Sequence, residues 1–242
     1  MITILSVFPD ALDLNGDAQN ALVLARRARW AGLDAEVVEQ RLGVPLAAQP
    51  PDLIVVGSGA ESSSARVLDG LLTIQRELRA WLAGGVPLLA VGTGWELLSK
   101  SVEFDGGLVL EGLGIFSGHS VPRARVSDDL VVDSEFGRLI GFENHAREYR
   151  AASGARDLGT VIYGVGNAGH SKLRREGEIV GASIGTHLHG PVLAKNPALA
   201  DHLLGLVTSG GYDPDNETAR RVDASASAAR NQIAVPLGLA PE

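Results

Sequence analysis

Cysteine is missing from all 242 residues, which removes disulfides, thiolate zinc sites and thiol nucleophiles together. Also missing is any apolar run approaching the roughly 20 residues that a membrane-spanning helix needs. No basic segment precedes the apolar run at the N-terminus, so no secretory leader is read there. These absences predict a cytoplasmic chain with no membrane span. Positive charge is scarce as well: 21 Lys and Arg stand against 29 Asp and Glu, for a formal net charge of -8. Nucleic-acid backbones and anionic bilayers reward clustered cations, so neither is the expected partner. The basic trio Arg26, Arg27 and Arg29 lies in an amphipathic stretch and reads as a solvated helix face. No internal repeat is visible.

What the chain has instead is 45% hydrophobic residues and 30 glycines. That balance suits a buried, mostly parallel sheet with many tight turns. Residues 2–8 read as a strand, 10–17 as a loop and 18–31 as an amphipathic helix stopped by Gly32. Short strands follow at 35–38 and 53–56, the second closed by Gly57-Ser58-Gly59, then one long helix over 64–82 and a strand at 87–91. Strands alternating with helices predict a three-layer, doubly wound α/β fold of the flavodoxin kind, with ligands at the carboxyl ends of the strands. After Ser99 the short apolar runs 109–116, 130–132 and 138–142 read as added antiparallel strands. Runs at 160–165 and 179–184 and a helix over 197–208 complete a body of residues 1–209. Residues 210–242 read as a polar helix, about 216–231, and a loose tail.

The segment with the most chemical content is Pro87-Leu88-Leu89-Ala90-Val91-Gly92-Thr93-Gly94-Trp95-Glu96-Leu97-Leu98. A buried strand entering a tight glycine turn and leaving as a helix lifts a nucleophile into an active site, with helix N–H groups aimed at developing charge. Here the apex holds glycine. Thr93 and Ser58 carry hydroxyls nearby, but a hydroxyl is a poor nucleophile without a positioned base. His187 and His189 are two apart, which on a strand places them on one side. No Asp or Glu at ligand spacing completes a metal set around them, so no metal is predicted. In Glu143-Asn144-His145, adjacent strand residues face opposite ways, and the segment reads as structural support. The run Gly164-Val165-Gly166-Asn167-Ala168-Gly169 opens no helix and is not a dinucleotide fingerprint. No cofactor is predicted.

Four collinear segments over about residues 2–204 carry a resemblance: Asn15-Gly16-Asp17-Ala18-Gln19-Asn20, the strand and elbow at 87–98, Gly141-Phe142-Glu143-Asn144-His145, and the run from Gly185 through His187-Leu188-His189-Gly190 to Asp201. Together they resemble the class I glutamine amidotransferases of the cobyric acid synthase type, and within them the amidotransferase subunits of lipid II isoglutaminyl synthases. The resemblance places the family's cysteine on Gly92, its glutamine four residues later on Glu96, and its catalytic histidine on His189. It also implies oxyanion N–H groups at Gly59 and Thr93, and an arginine near the glutamine site at Arg125, whose other reading is an exposed strand arginine. The function it implies is a pseudo-glutaminase: a non-hydrolysing partner of an ATP-dependent, Mur-ligase-like subunit, with glutamine or another small amine or amino acid as the possible ligand. Two alternatives stand beside it. One is an active glutaminase using another nucleophile, and the other is a stand-alone small-molecule binding module.

Overall fold

The computed structural model describes residues 1–46, 49–167, 174–208 and 210–241. Its elements in chain order are β1 (Ile2–Val7), α1 (Gln19–Trp30), β2 (Ala35–Gln40), β3 (Leu53–Val56), α2 (Ser64–Thr73), α3 (Gln75–Ala83), β4 (Leu88–Val91) and α4 (Thr93–Leu98). Then come β5 (Ser101–Glu103), β6 (Val109–Glu111), β7 (His119–Ser134), β8 (Gly137–Arg150), β9 (Gly159–Tyr163), β10 (Arg175–Glu176), β11 (Glu178–Val180), β12 (Ser183–Thr186), α5 (Val192–Lys195), α6 (Pro197–Val207) and α7 (Glu217–Ala234).

The central sheet runs β11-β12-β4-β3-β1-β2. Its pairs are parallel except β11 with β12. Central strands such as Leu88-Leu89-Ala90-Val91 are buried throughout, as strands covered on both faces must be. Alternation divides them between two cores: Ile4, Leu53, Val55, Leu89 and Val91 pack with α1 and α6, whereas Leu5, Ile54, Val56, Leu88 and Ala90 pack with α2, α3 and Trp95. The chain therefore leaves β1 towards one face and neighbouring β3 towards the other. Loops that diverge in this way open a crevice at the carboxyl ends of the two strands.

Several expectations need correcting. The helix expected over 64–82 is two, α2 and α3, interrupted at Ile74. Thr73 Oγ1 donates back to Gly70 O at 2.6 Å and Ile74 N–H bonds only three residues back, to Leu71 O; such back-bonding bends helices. The short runs 130–132 and 138–142 are parts of two long strands, β7 and β8, paired antiparallel over most of their length. Polar residues alternating with buried ones conceal that period; β8 alternates buried and half-buried from Gly141 to Tyr149. The run 179–184 is split between β11 and β12 by Gly181 at φ 58°.

Arg27, read as part of a solvated face, is 3% exposed. It donates Nε and Nη2 to the two oxygens of Asp201, each at 2.8 Å, and Nη1 to Asp223 at 2.6 Å. A buried guanidinium needs such partners, and they come from α6 and α7, far away in sequence. The closing segment, expected as a loose tail after the helix, is held: Ile233, Leu237 and Leu239 pack against buried Val131 and Ile140, and Arg138 Nη1 donates to Ala240 O. Residue 209, where the body was expected to end, lies outside the described residues, as do Ala168 and Gly169.

Candidate functional site

A cavity of about 70 Å³ opens at the crevice between β1 and β3. Its walls come from the loops after β1, β3, β4 and β12, with the β7–β8 hairpin closing the far side. The central feature is the turn from β4 into α4. Gly92, at the apex, has φ 52° and ψ -124°, which glycine adopts at no steric cost. Its N–H donates to Thr186 O at 2.9 Å, tying the apex to β12. An ideal Cβ at this position would meet His189 Cε1 at 2.7 Å, Ser58 Cβ at 2.9 Å and His189 Nε2 at 3.3 Å. The imidazole thus leans over the space a side chain at Gly92 would enter.

His189 is buried and oriented. Its backbone N–H donates to Phe142 O at 2.9 Å, and Gly141 lacks the Cβ that would press on His189 O. Nδ1 lies 2.8 Å from Asp17 Oδ2, and that carboxylate also accepts from Ser58 Oγ at 2.5 Å. Asn15 Nδ2 donates to Ser58 Oγ at 3.1 Å and lies 3.2 Å from His189 Nδ1. With the Nδ1 proton given to Asp17, Nε2 is left as a bare lone pair; it is buried with no hydrogen-bond partner among the described residues. Neither nearby hydroxyl is available to it. Ser58 gives its proton to Asp17, and Thr93 Oγ1 donates to Gly59 O at 3.0 Å.

The opposite wall holds Arg125, Asn144, His145 and Arg147, with Glu61 and Glu96 from the elements facing them. Arg125 is an exposed strand residue that nevertheless lines the cavity, and its Nη1 donates to Asn144 Oδ1 at 3.0 Å. Asn144, in the segment read as structural support, therefore serves a guanidinium. Glu96 is 1% exposed and accepts from Arg147 Nε and Nη2 at 2.9 and 2.8 Å. Burial opposes ionisation of Glu96, yet the His187 ring and the Arg147 guanidinium hold its carboxyl down to about 2.

The two histidines read as neighbours on one strand face go separate ways, because β12 ends at Thr186 before either of them. His187 sits between Glu96, 3.9 Å away, and Glu176, 3.8 Å away, and stacks on His145 at 4.2 Å. Burial favours its neutral form, but the two carboxylates raise it to about 9. Trp95 packs on Tyr149 and His187 and lies outside the cavity. Glu143 and His145 are two apart on β8, share a face and pair at 3.0 Å. The same Glu143 carboxylate accepts the N–H groups of Val165 and Gly166 at 2.6 and 3.0 Å, fixing that loop.

The structure thus brings together Gly92, His189, Gly59, Thr93 and Arg125, all of which line one cavity. Asp17, Asn15, Glu61 and Arg147 join them without having been assigned roles from sequence. For Asp17 a signal existed, the Gly16-Asp17 pair opening the first helix. For Arg147 and Glu61 there was none, since their pairing spans 86 residues, from position 61 to 147.

Residues 3–197 match the CobB/CobQ-like glutamine amidotransferase domain. The lipid II isoglutaminyl synthase (glutamine-hydrolyzing) subunit GatD of Staphylococcus aureus is 32% identical over 205 residues, covering 84% of this chain and 83% of that subunit. The subunit of the same name from Streptococcus pneumoniae is 24% identical over 218 residues, covering 88% and 83%. Among solved structures, a glutamine amidotransferase superposes with a TM-score of 0.54 at 17% identity, covering 84% of this chain and 98% of that one. A chain of PurLQS from Thermotoga maritima gives 0.53 at 13% identity, covering 93% and 98%; at such identities the likeness is one of fold. With a family match spanning four fifths of its length and a relative above 30% identity, the chain belongs to the CobB/CobQ-like glutamine amidotransferase family.

Proposed function

We propose that this chain is an amidotransferase-type subunit that does not hydrolyse glutamine. In this reading it serves as a structural or regulatory partner of an ATP-dependent, Mur-ligase-like amide synthetase. Its cleft retains a site for glutamine or another small amine or amino acid. Residues 1–209 form the amidotransferase-like body, and 210–242 add a polar helix and tail.

The observation that carries the reading is the elbow itself. Glutamine hydrolysis of this kind needs a thiolate to attack the carboxamide, an imidazole to move the proton and N–H groups to hold the oxyanion. The His189–Asp17 pair, poised like a base, and the turn at Gly92–Thr93 both persist. The apex carries no side chain, the 242 residues contain no thiol, and the protons of Ser58 and Thr93 are already given to other acceptors. The histidine is a general base with nothing to activate. That its ring closes over Gly92 supports a settled loss rather than a gap awaiting a nucleophile. The similar GatD proteins are named as subunits of a synthase, which supports the docking half of the reading.

The test is glutamate release from glutamine by the purified chain, alone and with any ligase-like protein that co-purifies. No release in either case is expected. Turnover that disappears in His189→Ala would establish a non-thiol nucleophile and overturn the reading.

A further inference from the structure

Arg147 is the most constrained cation in the cleft. Its Nε and Nη2 are committed to Glu96 at 2.9 and 2.8 Å, and its guanidinium lies over the Phe104 ring, 5.1 Å from the centroid. Two sides of the fork are thereby fixed, by α4 and by the segment after β5. Among the described residues the remaining nitrogen, Nη1, has one carboxylate within ion-pair distance, Glu61 Oε1, at 3.3 Å, with the charge of Asp105 a weaker influence beyond it. The partners differ in kind: the Glu96 side chain is 2% exposed, whereas that of Glu61 is 41% exposed at the cleft mouth. A guanidinium held rigid by a buried carboxylate, offering its last donors to a solvated one, is preorganised to exchange that second anion for another. Arg125 stands on the same wall, with one nitrogen on Asn144.

We propose that Arg147 is a carboxylate-binding residue of the cleft and that Glu61 is its displaceable internal counter-ion. The ligand selected is then a small molecule bearing a free carboxylate, such as an α-amino acid, and Glu61 sets its affinity by competing for Nη1. This deepens the reading of the cleft as an amino-acid site and rests on it. Glu96 positions Arg147 and does not itself meet the ligand's carboxylate.

The experiment is calorimetric titration of the full chain with two probes: glutamine, and 4-aminobutanamide, which keeps the amide and amine but lacks the carboxylate. Glu61→Gln removes the competing charge and is expected to tighten glutamine binding roughly two- to fivefold, the range an exposed ion pair is worth. Binding of 4-aminobutanamide is expected not to change. In the double variant Glu61→Gln, Arg147→Lys the gain is expected to vanish, because lysine keeps the charge but loses the fork. Equal gains for both probes, no gain, or no glutamine binding by either form overturns the proposal. Glutamate measured in the same samples separates the two ideas. Its appearance with the native chain refutes the non-hydrolysing reading whatever Glu61 does, and its absence alongside an unchanged affinity refutes only the role given to Glu61 and Arg147.

Discussion

Placing a Cβ at position 92 is the perturbation that interrogates the elbow most directly, and alanine is the smallest way to do it. Two costs are expected. The apex has φ 52°, where a non-glycine residue is strained by about 1–3 kcal/mol. The new carbon also sits 2.7 Å from His189 Cε1 and 2.9 Å from Ser58 Cβ, so the imidazole must retreat along its hydrogen bond to Asp17. Gly92→Ala is therefore expected to lose about 1–3 kcal/mol in urea denaturation. In a chain of this size that lowers the melting temperature by about 2–12 °C, taking about 2–4 °C per kcal/mol. Stability within about 0.5 kcal/mol of native, the ordinary range for a neutral surface change, would refute the left-handed apex and the closure of His189 over it. Gly92→Cys then isolates the chemistry on the same backbone. Its thiol would stand beside the His189–Asp17 pair, and a histidine partner lowers a thiol below the usual 8.5 or so. Iodoacetamide alkylation of the single cysteine as a function of pH reads this directly. A titration near 8.5 that His189→Gln leaves unmoved would show that the ring does not address position 92.

Other outcomes follow from the same packing. His187 is raised to about 9 from its ordinary 6.5 by Glu176 and Glu96, so its stabilisation is full below pH 6.5 and is lost as pH rises through 9. His187→Gln should be markedly less stable than native at pH 6 and nearly equal to it at pH 9.5, and a pH-independent difference would exclude the imidazolium. Glu96, held at about 2, contributes above pH 4.5 and loses its contribution as pH falls towards 2; Glu96→Gln should flatten that part of the acid-denaturation curve. Arg27→Ala removes the common partner of Asp201 and Asp223 and should cost about 2–4 kcal/mol, somewhat under the figure for a fully buried pair because both acids reach solvent. Deleting residues 217–242 uncovers Val131 and Ile140, and at about 1.5–3 kcal/mol per buried side chain the loss should be about 3 kcal/mol or more. An unchanged melting temperature would show the segment to be an appendage.

The sequence by itself determined the layered α/β body, because the central strands are short apolar runs, β3 and β4 closed directly by Gly57 and Gly92, and each early helix repeats its apolar residues at helical spacing. It also settled the chemistry that is absent, since a missing element of composition needs no coordinates: without cysteine there is no thiolate anywhere in the chain. The elbow was legible too, because strand, glycine and helix are local and contiguous. Tertiary structure alone decided what surrounds them. Charged residues look solvated in one dimension, and only packing reveals that Arg27 meets Asp201 and Asp223, or that Glu96 lies between Arg147 and His187. These pairings join positions 51 to 196 residues apart, and no periodicity encodes them. The long hairpin was hidden for a related reason, its half-buried polar faces interrupting the apolar runs. How closely His189 approaches Gly92 depends on the spacing of the turns that follow β12 and β4, which pair side by side, and such a distance is set by how the whole sheet packs.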